Sequence, residues 1–179
     1  MLRAPCTGPR GVKDQLRRVA GQFENVYLYP RPDRPRNLLD FQLTGYPMNT
    51  NVRIAQPADL PKALAAYRAW NYQGGVGSDD TVWLAEFAGE SIGVVRVAPE
   101  EGTLVLRGMR VAERWRRQGI GSQILRAVAE WLGNRECYCV PYVHLIEFYN
   151  QVGFSEIEPS LAPAFLFRRV TEYKAKRSM

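Results

Sequence analysis

The sequence is poor in the features that would give it a simple label. It has no run of about 18 apolar residues, so no membrane-crossing helix is predicted. It has three cysteines, Cys6, Cys137 and Cys139, too few for a disulfide framework. Cys137 and Cys139 are two apart in a β-like run and point to one strand face, which suits a disulfide poorly. A single histidine, His144, and the absence of Cys-x-x-Cys argue against any metal site, zinc included. No apolar stretch follows the early arginines, so no secretory signal is expected. A transit peptide is disfavoured too, because the first 47 residues hold no serine and four acids. A reducing compartment, the cytoplasm, is the simplest reading of the thiols.

Charge of one sign is scarce over most of the chain. The net charge is +6 over 179 residues, and residues 1–47 contribute eight Lys/Arg against four Asp/Glu. The remainder is close to neutral. Basic residues are not interleaved with aromatics as a stacking platform would require, so a nucleic-acid partner is the weaker reading and a solvated basic segment the stronger.

Residues 1–47 also hold six of the twelve prolines, including the run from Tyr29 to Arg36. That density predicts a largely irregular extension, with a short helix expected only from Lys13 to Phe23. The main domain is expected over 48–179. Met48 precedes Asn49-Thr50-Asn51-Val52-Arg53-Ile54, which reads as the start of a first strand, so an upstream misread start is the alternative to an accessory extension.

From Val52 the pattern becomes regular. A strand is expected over Val52 to Ala55. Asp59 then caps a helix that has Pro61 in its first turn and Leu60, Leu64, Tyr67 and Trp70 at helical spacing. Asn71 to Asp80 reads as a loop. Strands are expected over Thr81 to Ala88, Ile92 to Ala98 and Thr103 to Val111. Gln118 to Leu132 reads as a helix with the stripe Ile120, Ile124, Leu125, Val128, Trp131 and Leu132. Glu136 to Val140 is a strand, Pro141 to Gln151 a short helix, and Phe154 to Ile157 a further strand. Pro163 to Lys176 reads as either a helix or a last strand. The order β-α-β-β-β-α-β-α-β predicts an α/β fold, a central mixed sheet flanked by helices.

One segment carries chemistry. In Val111-Ala112-Glu113-Arg114-Trp115-Arg116-Arg117-Gln118-Gly119-Ile120-Gly121-Ser122 a strand ends, a basic loop follows, and a helix opens at Gly-x-Gly. A helix N-terminus offers unsatisfied N–H groups and partial positive charge. Gly119 and Gly121 remove side chains from the approach, and Arg116 and Arg117 add positive charge. The ligand implied is a phosphate or pyrophosphate. No Gly-Lys-Ser/Thr follows, and a third glycine is lacking, so neither a P-loop nor a dinucleotide fingerprint is present.

About 30 residues downstream stands Phe148-Tyr149-Asn150-Gln151-Val152-Gly153-Phe154. Together, Val111, Arg116/Gly119/Gly121 and Tyr149/Gly153/Phe154, in this element order, resemble the GNAT superfamily of N-acetyltransferases over roughly Val52 to Ile157. The resemblance implies a GNAT-like fold and direct transfer of acetyl from acetyl-CoA to a primary amine of a small molecule or peptide. It implies that the backbone amides of Arg117, Gln118, Gly119, Ile120, Gly121 and Ser122, beside Arg116, hold the pyrophosphate. Met109, Arg110 and Val111 would pair with the pantetheine arm, and Tyr149 would be the general acid for the departing thiolate. Where the family commonly has a CoA-contacting Asn, this chain has Tyr142, preceded by Pro141. Glu86 is the candidate general base; Asp79 and Asp80 are either acceptor-pocket residues or a solvated turn, and His144 is a helix-surface or pocket residue. A non-catalytic acyl-CoA sensor of the same fold is the alternative. A homodimer is compatible with the sequence, which names neither the acceptor nor the oligomeric state.

Overall fold

A computed structural model describes residues 26–29 and 50–175. The expected helix over Lys13 to Phe23 lies outside the described residues. The strands are β1 (Tyr27–Tyr29), β2 (Asn51–Ile54), β3 (Thr81–Phe87), β4 (Glu90–Glu100), β5 (Thr103–Val111), β6 (Cys137–Cys139) and β7 (Ser155–Glu156). The helices are α1 (Leu60–Ala69), α2 (Ile120–Leu132), α3 (Ile146–Asn150) and α4 (Ala164–Ala175). The segment left open between helix and last strand is therefore the helix α4.

One mixed sheet runs in the order β2-β3-β4-β5-β6-β1-β7. All neighbours are antiparallel except β5 and β6. Part of the segment expected to be irregular is thus a strand of this sheet. β1 lies between β6 and β7, pairing Tyr27 with both Cys139 and Glu156. Its tyrosines explain why. Tyr27 and Tyr29 are buried, Tyr29 packs against Phe154 at 5.3 Å, and the Tyr29 hydroxyl donates to the Ala129 carbonyl at 3.3 Å. A strand with aromatics at alternate positions gains a large apolar payload from so short a ladder.

Alternate strand residues face two helical layers. Trp83, Ala85, Val95, Val97, Leu106, Cys137 and Cys139 pack with α2 and with Tyr149 of α3. Val82, Leu84 and Val94 pack under Ala63 and Tyr67 of α1, while Val105 and Val26 pack under Phe165, Leu166 and Val170 of α4. The expected α2 stripe is largely as read, with Ala129 taking the buried place of Trp131, which sits edge-on against Trp83. Each fully buried Ile or Leu of that stripe is worth roughly 1.5–3 kcal/mol over an exposed one. Among the described residues no helix is long and apolar enough to cross a membrane.

One helix start differs from its expected reading. Asp59 precedes α1 but does not cap it. Its carboxylate turns back, accepting from the Gln56 amide at 2.8 Å and from both terminal nitrogens of Arg53 at 2.6 and 3.0 Å. A bidentate guanidinium outcompetes a single amide for the same oxygens.

Candidate acetyl-transfer site

The site begins with a gap in the sheet. β5 and β6 pair only at Leu104–Cys137 and Val105–Tyr138. β5 then continues to Val111 while β6 stops at Cys139, so among the described residues no strand pairs with the far half of β5 on that side. Met109, Arg110 and Val111 lie on that edge. Such a backbone row is a ready template for an extended ligand bearing amides.

The loop after β5 turns the chain into α2. Glu113–Trp115 make a single 3-10 turn, and Arg117 takes a left-handed φ of 59°. That conformation costs a non-glycine residue about 1–2 kcal/mol, so the rest of the loop must hold it. Arg116 Nε donates to the Val111 carbonyl at 3.2 Å, and Gln118 Nε2 donates to the Arg114 carbonyl at 2.7 Å. Gly119 sits at the N-cap with φ of 78°, and no side chain caps the helix. The amides of Ile120, Gly121 and Ser122 therefore open α2 without a capping oxygen. The Ile120 side chain is buried in the core, so only its backbone is available to a ligand. Among the described residues Arg116 and Arg117 form no ion pair.

Phe148 ties this cradle to the next element. A Cβ built on Gly121 would lie 3.2 Å from Phe148 Cζ and 3.8 Å from Val111 Cγ2. The neighbouring Tyr149 is buried, edge-on to Phe148 at 5.1 Å and to Phe154 at 5.8 Å. Its hydroxyl bonds to none of the described residues. Burial, reinforced by Cys139, pushes the phenol well above its ordinary pKa, so it stays protonated. Tyr142 is close enough to act in the same direction on Tyr149, and its ring stacks on the exposed His144 at 5.7 Å.

Glu86 is placed differently from its expected role. One carboxylate oxygen accepts from Arg53 Nε at 2.9 Å and the other pairs with Lys62. Burial pushes its pKa up, but the two hydrogen-bonded cations outweigh this and leave it below the usual carboxylate range. A carboxylate with both oxygens engaged and low basicity is a corner tie between β2, β3 and α1. Asp80 is likewise engaged, 2.5 Å from Arg96 in a pair almost wholly buried, whereas Asp79 is exposed. The thiols of Cys137 and Cys139 are both pushed up by burial, that of Cys137 to about 12, which suits inert core residues.

Other residues at the gap were not singled out from the sequence. Tyr67 of α1 is almost fully buried, and its hydroxyl has no hydrogen-bond partner. It lies over Gly108 of β5, where an added Cβ would meet the Tyr67 oxygen at 2.6 Å. Gly108 has φ of +66°, at an irregularity in the β4–β5 register. A lone glycine inside an alternating strand was the available signal, since it marks a bulge or a close approach. The Tyr67 and Tyr72 rings pack at 4.6 Å, tilted by 41°, and help line a cleft of about 360 Å³ with Leu64, Arg68, Gln73 and Gly74.

The split sheet, the uncapped helix start and the buried phenol thus sit together in one mixed α/β fold. Residues 78–156 match the sequence model of the family described as "Acetyltransferase (GNAT) domain". Over those residues the chain carries a GNAT acetyltransferase domain. Solved structures share the fold at low identity. A functionally unknown conserved protein from Staphylococcus epidermidis is 15% identical with a TM-score of 0.53, covering 87% of this chain and 67% of its own. An acetyltransferase of the GNAT family from Staphylococcus aureus is 16% identical with a TM-score of 0.50, covering 65% and 90%. A predicted acetyltransferase with acetyl-CoA from Clostridium acetobutylicum is 15% identical with a TM-score of 0.50, covering 66% and 97%. No curated protein sequence matches the chain.

Proposed function

We propose that this protein transfers acetyl from acetyl-CoA to a primary amine of a small molecule or peptide by direct attack. The observation that carries the reading is the meeting of an open β5 edge, an uncapped α2 N-terminus and the protonated phenol of Tyr149 at one break in the sheet. In this reading the amides from Arg117 to Ser122 hold the pyrophosphate, with Arg116 and Arg117 adding charge. The edge Met109–Val111 pairs with the pantetheine amides, and a backbone N–H there polarises the thioester carbonyl. The neutral amine attacks the carbonyl carbon, the C–S bond breaks, and Tyr149 gives its proton to the departing sulfur. The new amide sheds its extra proton to water in the open cleft, since Glu86 is committed to Arg53 and Lys62. The two buried thiols suit a reducing, cytoplasmic setting.

The test is Tyr149→Phe. The ring and its packing survive, so acetyl-CoA should still raise the melting temperature as in the parent. Turnover should fall about a hundredfold, the scale of a lost general acid. Unchanged turnover would remove Tyr149 from the mechanism.

A further inference from the structure

Four arginines stand on the described strands. Arg53 pairs with Asp59 and Glu86, Arg96 with Asp80, and Arg107 with Glu100. Arg110 is the exception. Among the described residues it meets no carboxylate, and its one hydrogen bond runs from a terminal nitrogen to the adjacent Met109 carbonyl at 2.9 Å. Its guanidinium lies over the Tyr72 ring, 5.0 Å from the ring centre. A guanidinium never loses its charge in a protein, and partial burial without a counter-ion is costly.

The position of Arg110 says which ligand would supply that counter-ion. Met109 and Val111 face the α2 side of the sheet, so Arg110 between them faces the α1 side, beside the Tyr72 ring. It is also close enough for its charge to act on both phenols, Tyr67 and Tyr149. The pyrophosphate cradle is elsewhere, at the start of α2. Tyr72 also lines the neighbouring cleft, where among the described residues no acid stands and Arg68 does, and nearby Asp80 is neutralised by Arg96. The buried, unpartnered Tyr67 hydroxyl lies against Gly108, two residues along the same strand.

We propose that the acceptor amine carries an anionic group, a carboxylate or a phosphate, held by Arg110, with the Tyr67 hydroxyl as its second polar contact. This rests on the acetyl-transfer reading. The planar fork of Arg110 matches both anions bidentately, and its location brings the amine of a small amino acid or amino-phosphate to the thioester end of the gap.

The experiment loads the protein with CoA, which fills the pyrophosphate cradle, and then adds acetate or inorganic phosphate at constant ionic strength. A further rise in melting temperature is expected, absent in Arg110→Met and partly kept in Arg110→Lys. No further rise with either anion, or an equal one in Arg110→Met, overturns the proposal. If CoA itself gives no rise, the acetyl-transfer reading fails, while the acetate increment in the unloaded protein still judges the Arg110 site. Two amine pairs then separate the sources: glycine against glycinamide, and O-phosphoethanolamine against ethanolamine. The charged member of the preferred pair should be acetylated roughly ten- to hundredfold more efficiently, and Arg110→Met should abolish that ratio. Neutral members acetylated as well as charged ones would refute the assigned substrate class.

Discussion

Replacing Gly121 by Glu puts a carboxylate at the second residue of α2, where the pyrophosphate is proposed to bind. The folded protein should tolerate it. A negative charge in the first turn of a helix is favourable by about 0.3–1 kcal/mol. Against this, the new Cβ lies 3.2 Å from Phe148 Cζ, so the ring must give by a few tenths of an ångström. Ligand binding should suffer far more. At about 5 Å and an effective dielectric near 20, one added negative charge opposes one phosphate charge by about 3 kcal/mol, more than a hundredfold in Kd. The assay is thermal unfolding with acetyl-CoA at a hundred times its Kd for the parent. Mass action then stabilises the parent by about 2.7 kcal/mol, or roughly 8 °C for a chain of this size. At the same concentration the variant is half-saturated or less, and its rise should be about 1 °C. Gly121→Ala carries the Cβ without the charge and should keep most of the rise. An equal rise in parent and Gly121→Glu would refute the placement of the anion at α2.

Two further outcomes test the frame of the site. Tyr29→Ala removes a buried ring that packs on Phe154 and should cost about 3–5 kcal/mol in denaturant unfolding; a loss under 1 kcal/mol would mean that β1 is dispensable. The Arg53 hydrogen bonds hold Asp59 at about 2 in the folded protein against an ordinary 3.8. A carboxylate lowered on folding stabilises above its unfolded pKa and loses that contribution as pH falls through the folded value. Stability should therefore decline from about pH 4 toward pH 2, and Asp59→Asn should flatten that limb in acid titrations followed by circular dichroism.

The parts legible in the sequence are those that local chemistry dictates. The strand Thr103 to Val111 falls on the residues expected, because turn residues bound it on both sides. The α2 stripe and the Gly119/Gly121 opening are likewise local, and together with Tyr149/Gly153/Phe154 they were enough to indicate the family. What was not legible depends on partners far away in the chain. β1 is three residues beside a proline cluster, too short for periodicity to separate from its surroundings. Only the alternation of Tyr27 and Tyr29 hinted at a strand. Glu86 read as a candidate general base because nothing in its own strand announces Arg53 and Lys62. The lack of a counter-ion at Arg110 is visible only once the other strand arginines have been matched with theirs.

The place of β1 also bears on how the chain is made. Tyr27 emerges from the ribosome more than a hundred residues before Cys139, its partner in the sheet. Among the described residues β7 joins the sheet only through β1, so that side cannot close until β6 and β7 have both been synthesised. Meanwhile a tyrosine-bearing segment waits beside prolines, which cannot donate to a ladder and so discourage premature pairing. Contacts this distant in sequence slow folding and prolong the time for which an apolar edge is exposed. Translation rate near the end of the message should therefore govern the yield of folded protein more strongly than it would for a chain whose strands pair in order.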